Sequence, residues 1–411
     1  MNTSKFIGST LILIGTAVGA GMLAMPAVSA SAGFILSATM ILILWAASTI
    51  TGLLVIEVTL ALPSQACSFN AMSTQTLGIF GKVITWASYL FLLYAIMITY
   101  IMGGSSIVAG IVNSIFNVEI PNWISAVLFT MILGVAVFWS TKAVDYLNRN
   151  LMSLKGLSLI VALSLIAPQI EINKLITIQG ISHAKYILAA IPVFLAAFSY
   201  HFIIPSLRIY VGDKPRQLKM IVIIGNTFAM LIYLWWLACV FGIIPLTGDN
   251  SFTSIASDPH PPRQLIQLIT SIANNKWITS SINSFATIAL TTSFLGVALG
   301  LFDFLAEGFK RKDTRFGRLQ TSGLTFIPPV IFALFFPGGF VKALNYASIA
   351  VAILAFILPA LMAYYLRKHS TLKSPYRVKC GNIGLALIVL IGSTSIVLAL
   401  MYAFNLLPTL K

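Results

Sequence analysis

Along this chain, long apolar stretches alternate with short polar segments, and the stretches are too long for strands or for ordinary core helices. A helix that crosses a bilayer needs about 20 apolar residues. Eleven runs of that kind lie near 7–32, 34–61, 83–112, 122–140, 149–167, 186–208, 217–244, 281–307, 321–336, 340–365 and 381–406. The polar interruption at 245–280 is the longest and contains Pro245, Pro259, Pro261 and Pro262. Inside it, Arg263 to Ala273 places apolar residues at helical spacing, which predicts a short helix lying on the surface. No interruption is long enough to form a separate soluble domain, so the pattern predicts an all-α polytopic membrane protein.

Composition agrees. Hydrophobic residues make up 58% of the chain and charged residues 9%, with a mean hydropathy of +0.96. A soluble domain keeps about 25% of its residues charged, so the solvent for most of this chain must be lipid. Disorder is excluded, and a nucleic-acid partner with it. The net charge of +15 has its source in short loops between the apolar runs, where membrane proteins collect basic residues on the cytoplasmic side. With the N-terminus inside and one crossing per run, 19 of the 25 Lys and Arg residues fall on the inner side and 6 on the outer. The expected topology is therefore N-terminus cytoplasmic and C-terminus periplasmic. Cys67, Cys239 and Cys380 are far apart and odd in number, which makes neither a disulfide framework nor a metal cluster. Lys5 before an apolar run and Ser29-Ala30-Ser31-Ala32 resemble a cleavable leader. Gly15, Gly19, Gly21 and Pro26 interrupt that run, and it continues past a leader's usual length, which favours a retained first span.

Five crossings leave the chain outside, so the next five repeat the pattern upside down. The expected units are a first five-helix repeat at 1–167, an inverted second repeat at 186–365 and an additional helix at 381–406. Inverted repeats of this size are a plan known from transporters, whose first helix in each repeat is broken at mid-membrane. Corresponding interruptions are present. In the first run, Gly15, Gly19 and Gly21 flank Thr16, Ala17, Val18 and Ala20, with Pro26 a turn later. Each glycine weakens a helix by nearly 1 kcal/mol relative to alanine and allows positive φ or close approach of a ligand. Freed N–H groups could hold a carboxylate and freed carbonyls an ammonium. A glycine face for tight helix packing is the alternative. In the sixth run, Phe198, Ser199, Tyr200 and His201 precede Pro205. A histidine at bilayer depth points to a functional site, or else to a neutral ring hydrogen-bonded between helices. The rings around it could line a pocket for a flat ligand.

Several segments resemble the hydroxy and aromatic amino acid permease family, most of all its bacterial tyrosine-specific members. They are G-T-A-V-G-A-G-M-L-A-M-P at 15–26, T-S-F-L-G-V-A-L-G-L-F-D-F-L-A at 292–306, G-R-L-Q-T at 317–321 and Pro328-Pro329. The similarity runs over nearly the whole chain. It implies a LeuT-like 5+5 inverted repeat with discontinuous helices 1 and 6, plus an eleventh helix. It also implies proton-driven import of an aromatic amino acid, tyrosine first, across the bacterial inner membrane. No cofactor or metal is implied. Those permeases carry Phe-His-Gly in the sixth helix, where this chain reads Tyr200-His201-Phe202.

Few ionisable residues fall inside the runs. Lys155 lies about two turns into the fifth, roughly 10 Å deep. Burial disfavours the charged amine, which suits this group to gaining and losing a proton. Sodium-independent relatives of the superfamily place an amine on this helix, and Lys155 resembles it; a lysine snorkelling to headgroups is the alternative. His201 is a second candidate for proton coupling. Thr292 and Ser293 stand where sodium-coupled relatives supply hydroxyl ligands, so sodium coupling is the competing reading. Glu57 and Asp303 fall near cytoplasmic helix ends and read as gate or salt-bridge residues, with Arg208 or Lys310 as partners. An enzyme would need convergent carboxylates, a nucleophile with its base, or metal ligands, yet His183, His201, His260 and His369 are scattered. A channel would need a filter-forming segment. A tryptophan-selective carrier and a non-transporting amino acid sensor share the fold.

Overall fold

The computed structural model describes residues 3–19, 21–64, 68–139, 141–176, 185–248, 250–257, 261–311, 314–335, 339–369 and 372–408. With no water in the hydrocarbon region, each backbone polar group needs an internal partner, and among the described residues the apolar runs are helical apart from short breaks in the first and the sixth. They are α1 (Thr3–Ala17), α2 (Gly21–Ser29), α3 (Gly33–Leu60), α4 (Phe69–Phe116), α5 (Asn122–Trp139) and α6 (Thr141–Ile166) in the first half. After the short α7 (Ile172–Ile176) come α8 (Ile187–Ala197), α9 (Ile204–Val211) and α10 (Pro215–Ile243). The chain then forms α11 (Phe252–Ser257), α12 (Pro261–Ala273), α13 (Lys276–Gly308), α14 (Arg315–Phe335), α15 (Phe340–Val351), α16 (Leu358–His369) and α17 (Asn382–Ala403).

Local chemistry sets several boundaries. The Ser68 hydroxyl accepts from Ala71 N at 3.2 Å and starts α4, and Gly78 (φ 68°, ψ −153°) kinks it after two turns. Residues 69–77 therefore form a short helix ahead of the third span. Asn275 caps α13 by accepting from Trp277 N at 2.8 Å. A π-helical segment at Ala352–Ile357 joins α15 to α16, and α12 is the helix expected inside the proline-rich interruption.

Nine helical stretches among the described residues are long and apolar enough to cross a membrane. One of them, Gly21–Leu60, carries the second half of run one straight into run two through the 3-10 turn Ala30–Ala32. Run nine is helical as α14, but basic residues in its first turn and two internal prolines separate it from the others.

Packing follows the order of an inverted repeat. Spans one to four lie against their counterparts five places on: α2 on α8 and α1 on α9, α3 on α10, α4 on α13, and α5 on α14. Likewise α4 packs on α15 as α13 packs on α6, a pair of contacts that exchange when the halves are swapped. The fold is LeuT-like, with the first and sixth spans discontinuous.

Candidate functional site

The first break lies between α1 and α2. Val18 N still reaches Ile14 O at 2.8 Å, and Met22 N turns back to Gly19 O at 3.1 Å. Handedness does not explain the glycines here: the positive-φ glycines among the described residues are Gly33, Gly78, Gly212 and Gly248. Of the two freedoms glycine gives, positive φ and close approach, Gly15, Gly19 and Gly21 do not use the first. A Cβ at Gly19 would stand 3.5 Å from Ser293 Oγ, and one at Gly21 would stand 3.8 Å from Ala197. These two residues line the break with bare backbone. Ala20 lies outside the described residues.

The end of α1 is held from across the bundle. Lys155 Nζ, on α6, donates to the carbonyls of Gly15 and Val18, both at 3.0 Å. Its side chain is 4% exposed, so it does not snorkel to the surface. A helix leaves its last carbonyls unpaired and carries partial negative charge at that end, and the ammonium meets both needs.

The second break follows α8. Phe198 N and Ser199 N fold back to Leu195 O and Ala196 O at 3.2 Å each, a 3-10 turn covers Tyr200–Ile203, and Pro205 opens α9. The Tyr233 hydroxyl, from α10, joins the two breaks: it lies 2.6 Å from Ala17 O and 2.8 Å from Ala197 O. Its ring packs edge-on against Phe198 at 5.1 Å. Trp236 Nε1 donates to Met22 O at 3.0 Å. Tyr100, on α4, interacts with Ser293 and lies close to Tyr233. Beyond the break on one side is a cavity of about 530 Å³ whose walls include Leu23, Gly103, Arg263, Asn283 and Phe340.

The structure thus brings together Ala17, Gly19, Gly21, Phe198, Lys155 and Ser293. It separates others from them. Tyr200 Oη donates to Ser48 O at 2.8 Å, and His201 Nε2 pairs with Thr51 Oγ1 at 2.7 Å, both on α3. The two rings stack at 4.6 Å and are fully buried. Gly52 makes room for them, since a Cβ there would lie 2.5 Å from Tyr200 Oη. Their polar tips are thus tied to α3, which occupies the phenol and imidazole groups expected to line the pocket. Thr16 is exposed and bonds back to Ile12 O at 2.8 Å. Thr292 Oγ1 donates within its own helix, to Ile288 O and Ala289 O. Asp303 is exposed on α13.

Glu57 is a salt-bridge residue, but with a different partner from those expected. Arg367 Nε and Nη2 grip its two oxygens at 2.7 and 2.6 Å, and Val378 N donates to it at 2.8 Å. Arg208 instead binds Asp213 at 2.6 Å and the carbonyl of Thr59. Both side chains sit at the same ends of neighbouring spans, which is why sequence position alone could not choose between them.

The sequence model of the tryptophan/tyrosine permease family matches residues 2–399. The chain belongs to this family. The permease is 35% identical over 391 residues to tyrosine-specific transport system 1 of Haemophilus influenzae, covering 95% of each chain. It is 34% identical over 412 residues to a tryptophan-specific transport protein of Pseudomonas aeruginosa, covering 98% of this chain and 96% of that one. The low affinity tryptophan permease of Escherichia coli is 31% identical, with 98% and 97% covered. Among solved structures, the manganese transporter of Eremococcus coleocola, crystallised with an aromatic bis-isothiourea compound, superposes with a TM-score of 0.63 at 16% identity. That match covers 98% of this chain and 88% of the other, and it speaks for the fold alone. The permease is therefore a multi-pass membrane transport protein of an aromatic amino acid family and not an enzyme.

Neither Tyr233 nor Tyr100 is singled out by the sequence. Each is one of several polar tips in its run, and only their place opposite the two breaks gives them a role.

Proposed function

We propose that this permease imports aromatic amino acids, tyrosine before tryptophan, by proton symport across the bacterial inner membrane. The observation that carries the reading is the Lys155 ammonium held between the carbonyls of Gly15 and Val18. Hard cations such as sodium need several oxygens, and here a fixed cation already uses the two carbonyls at the end of α1. An ammonium beside Thr292 and Ser293 would also repel sodium. Loss of the proton from Lys155 leaves an amine that holds α1 less firmly, which links proton release to movement of the half-helix. His201, the second candidate, is already hydrogen-bonded to Thr51 on α3 and, among the described residues, makes no bond to the carbonyls that Lys155 holds.

In this reading the substrate head group lies in the first break. The first-turn N–H groups of α2 receive its carboxylate, and the carbonyls of Ala17 and Ala197, which share the single proton of the Tyr233 hydroxyl and are not held by Lys155, receive its ammonium. Ala17, Gly19, Gly21, Phe198 and Ser199 then line the site, with Tyr100, Tyr233 and Ser293 beside them. The repeats at 1–167 and 186–365 rock against each other around it, the helix at 381–406 lies outside both, and the N-terminus is cytoplasmic.

The test is uptake of labelled tyrosine into proteoliposomes, with tryptophan and phenylalanine as unlabelled competitors. Tyrosine uptake that tryptophan inhibits only at higher concentration is expected. Stronger competition by tryptophan would reverse the order of substrates, and no uptake of any of the three would sink the assignment.

A further inference from the structure

A second cavity, of about 480 Å³, opens beside α9 on the other side of the breaks. Its wall is a chain of rings: Trp86 lies 5.5 Å from Phe304, Tyr89 lies 5.2 Å from Phe304 and 5.8 Å from Phe202. Lys82 and Glu307, both exposed, stand at its rim. Thr85 lines it too and is 2% exposed, yet its hydroxyl has no hydrogen-bond partner among the described residues. The side-chain oxygen of Asn70, in the same wall, is also without one.

The helices fix where this cavity stands. Tyr89 and Tyr100 are eleven residues apart on α4, as are Ser293 and Phe304 on α13, which is about 16 Å along either helix. The cavity therefore lies one half-crossing from the first break, at the end of the bundle rich in basic residues and against the start of α9. Its volume falls in the range of about 300–1,000 Å³ usual for small-molecule sites.

The wall has one matching chemistry. Rings favour offset or edge-to-face contact with another ring. An ammonium and a carboxylate at the rim suit a ligand that carries both charges. We infer that this cavity is a second binding site for an aromatic amino acid, which the cargo occupies between the first break and the water on the basic side. The inference rests on the aromatic cargo proposed above.

Equilibrium binding of radiolabelled tyrosine to the full chain in lipid nanodiscs tests it. Two ligands per chain are expected, in a tight and a weak class. Lys82→Ala should weaken the weak class about tenfold, and Trp86→Ala should abolish it while the tight class is unchanged. Lys82 is exposed and its loss spares the fold; Trp86→Phe keeps a ring and should restore the weak class. One ligand per chain, or two that neither substitution affects, would overturn the inference and leave the transport reading standing. Loss of both classes in Trp86→Ala would also count against a separate site. No binding to a chain with an intact unfolding transition would overturn both readings.

Discussion

The two broken spans occupy equivalent places in the repeats and are built from opposite materials. The first is open: Gly19 and Gly21 expose backbone, and one ammonium from α6 holds the end of α1. The second is filled: Phe198, Tyr200 and His201 are fully buried, and two of them are tied to α3 through Ser48 and Thr51. A break lined by glycine, whose ties to Lys155 and Tyr233 include one readily titratable group, can be loosened by that group. A break filled with rings and hydrogen-bonded to a neighbouring span moves only if that span moves with it. Equivalent positions in a repeat thus diverge into a part that can be switched and a part that carries it.

That contrast can be pressed at several points. Helix α3 is the support of the filled break, and its Glu57–Arg367 pair ties it to the end of α16; the two side chains are 2% and 8% exposed. Removing one partner from a buried pair costs about 3–5 kcal/mol. Glu57→Gln should therefore lower the thermal unfolding midpoint in detergent more than any other substitution here, and Glu57→Leu combined with Arg367→Leu should recover part of the loss. A Glu57→Gln chain as stable as the wild type would show that α3 is not the support.

His201→Asn removes the bond to Thr51, whose hydroxyl keeps the carbonyl of Ser48 at 3.0 Å, at a cost of about 1 kcal/mol. Stability should fall, while the proton dependence of uptake stays as it was. Loss of proton dependence would move the coupling group from the open break to the filled one.

Two tyrosines sharpen the same point. Tyr233→Phe removes a hydroxyl that spans both breaks, so substrate affinity should fall about tenfold in an equilibrium binding assay. Tyr200→Phe removes a hydroxyl bonded only to α3, and should cost about 1 kcal/mol of stability with affinity unchanged. Equal effects on affinity would erase the distinction.

The smallest effect lies outside the membrane. The hydrogen bond from Arg208, with its charge, holds the Asp213 carboxyl below the usual carboxylate range. A carboxyl lowered in the folded chain contributes stability above its unfolded value, near pH 4, and that contribution is lost as pH falls through the folded value. Asp213 is 58% exposed, so the contribution is small. Asp213→Asn should slightly flatten the acid limb of a stability–pH curve and leave it unchanged at neutral pH.

Much of this contrast was legible in the sequence. Three glycines in seven residues, and a polar cluster before Pro205, mark both breaks in runs that are otherwise apolar. Lys155 stood out because a charge at that depth is rare. What could not be read was direction. A buried span is apolar on every face, so periodicity gives no sign that Tyr200 and His201 turn toward α3, or that Tyr233 turns toward the break. Pairing at long range was equally hidden: Glu57 and Arg367 are 310 residues apart, and several basic residues sit at the same level. Phe202 departs from the pattern of the family the sequence resembles, and its sequence position did not show where its ring lies. Its ring joins Phe69 and Tyr89 in the cavity beside α9.

The central claim is that Lys155 couples proton movement to the open break. The most direct measurement is labelled tyrosine uptake into proteoliposomes under an inward proton gradient, with and without sodium, for the wild type and Lys155→Ala. Wild-type uptake should need the gradient and ignore sodium, and the variant should lose all response to the gradient. A variant that still responds fully, or wild-type uptake that requires sodium, would contradict the account.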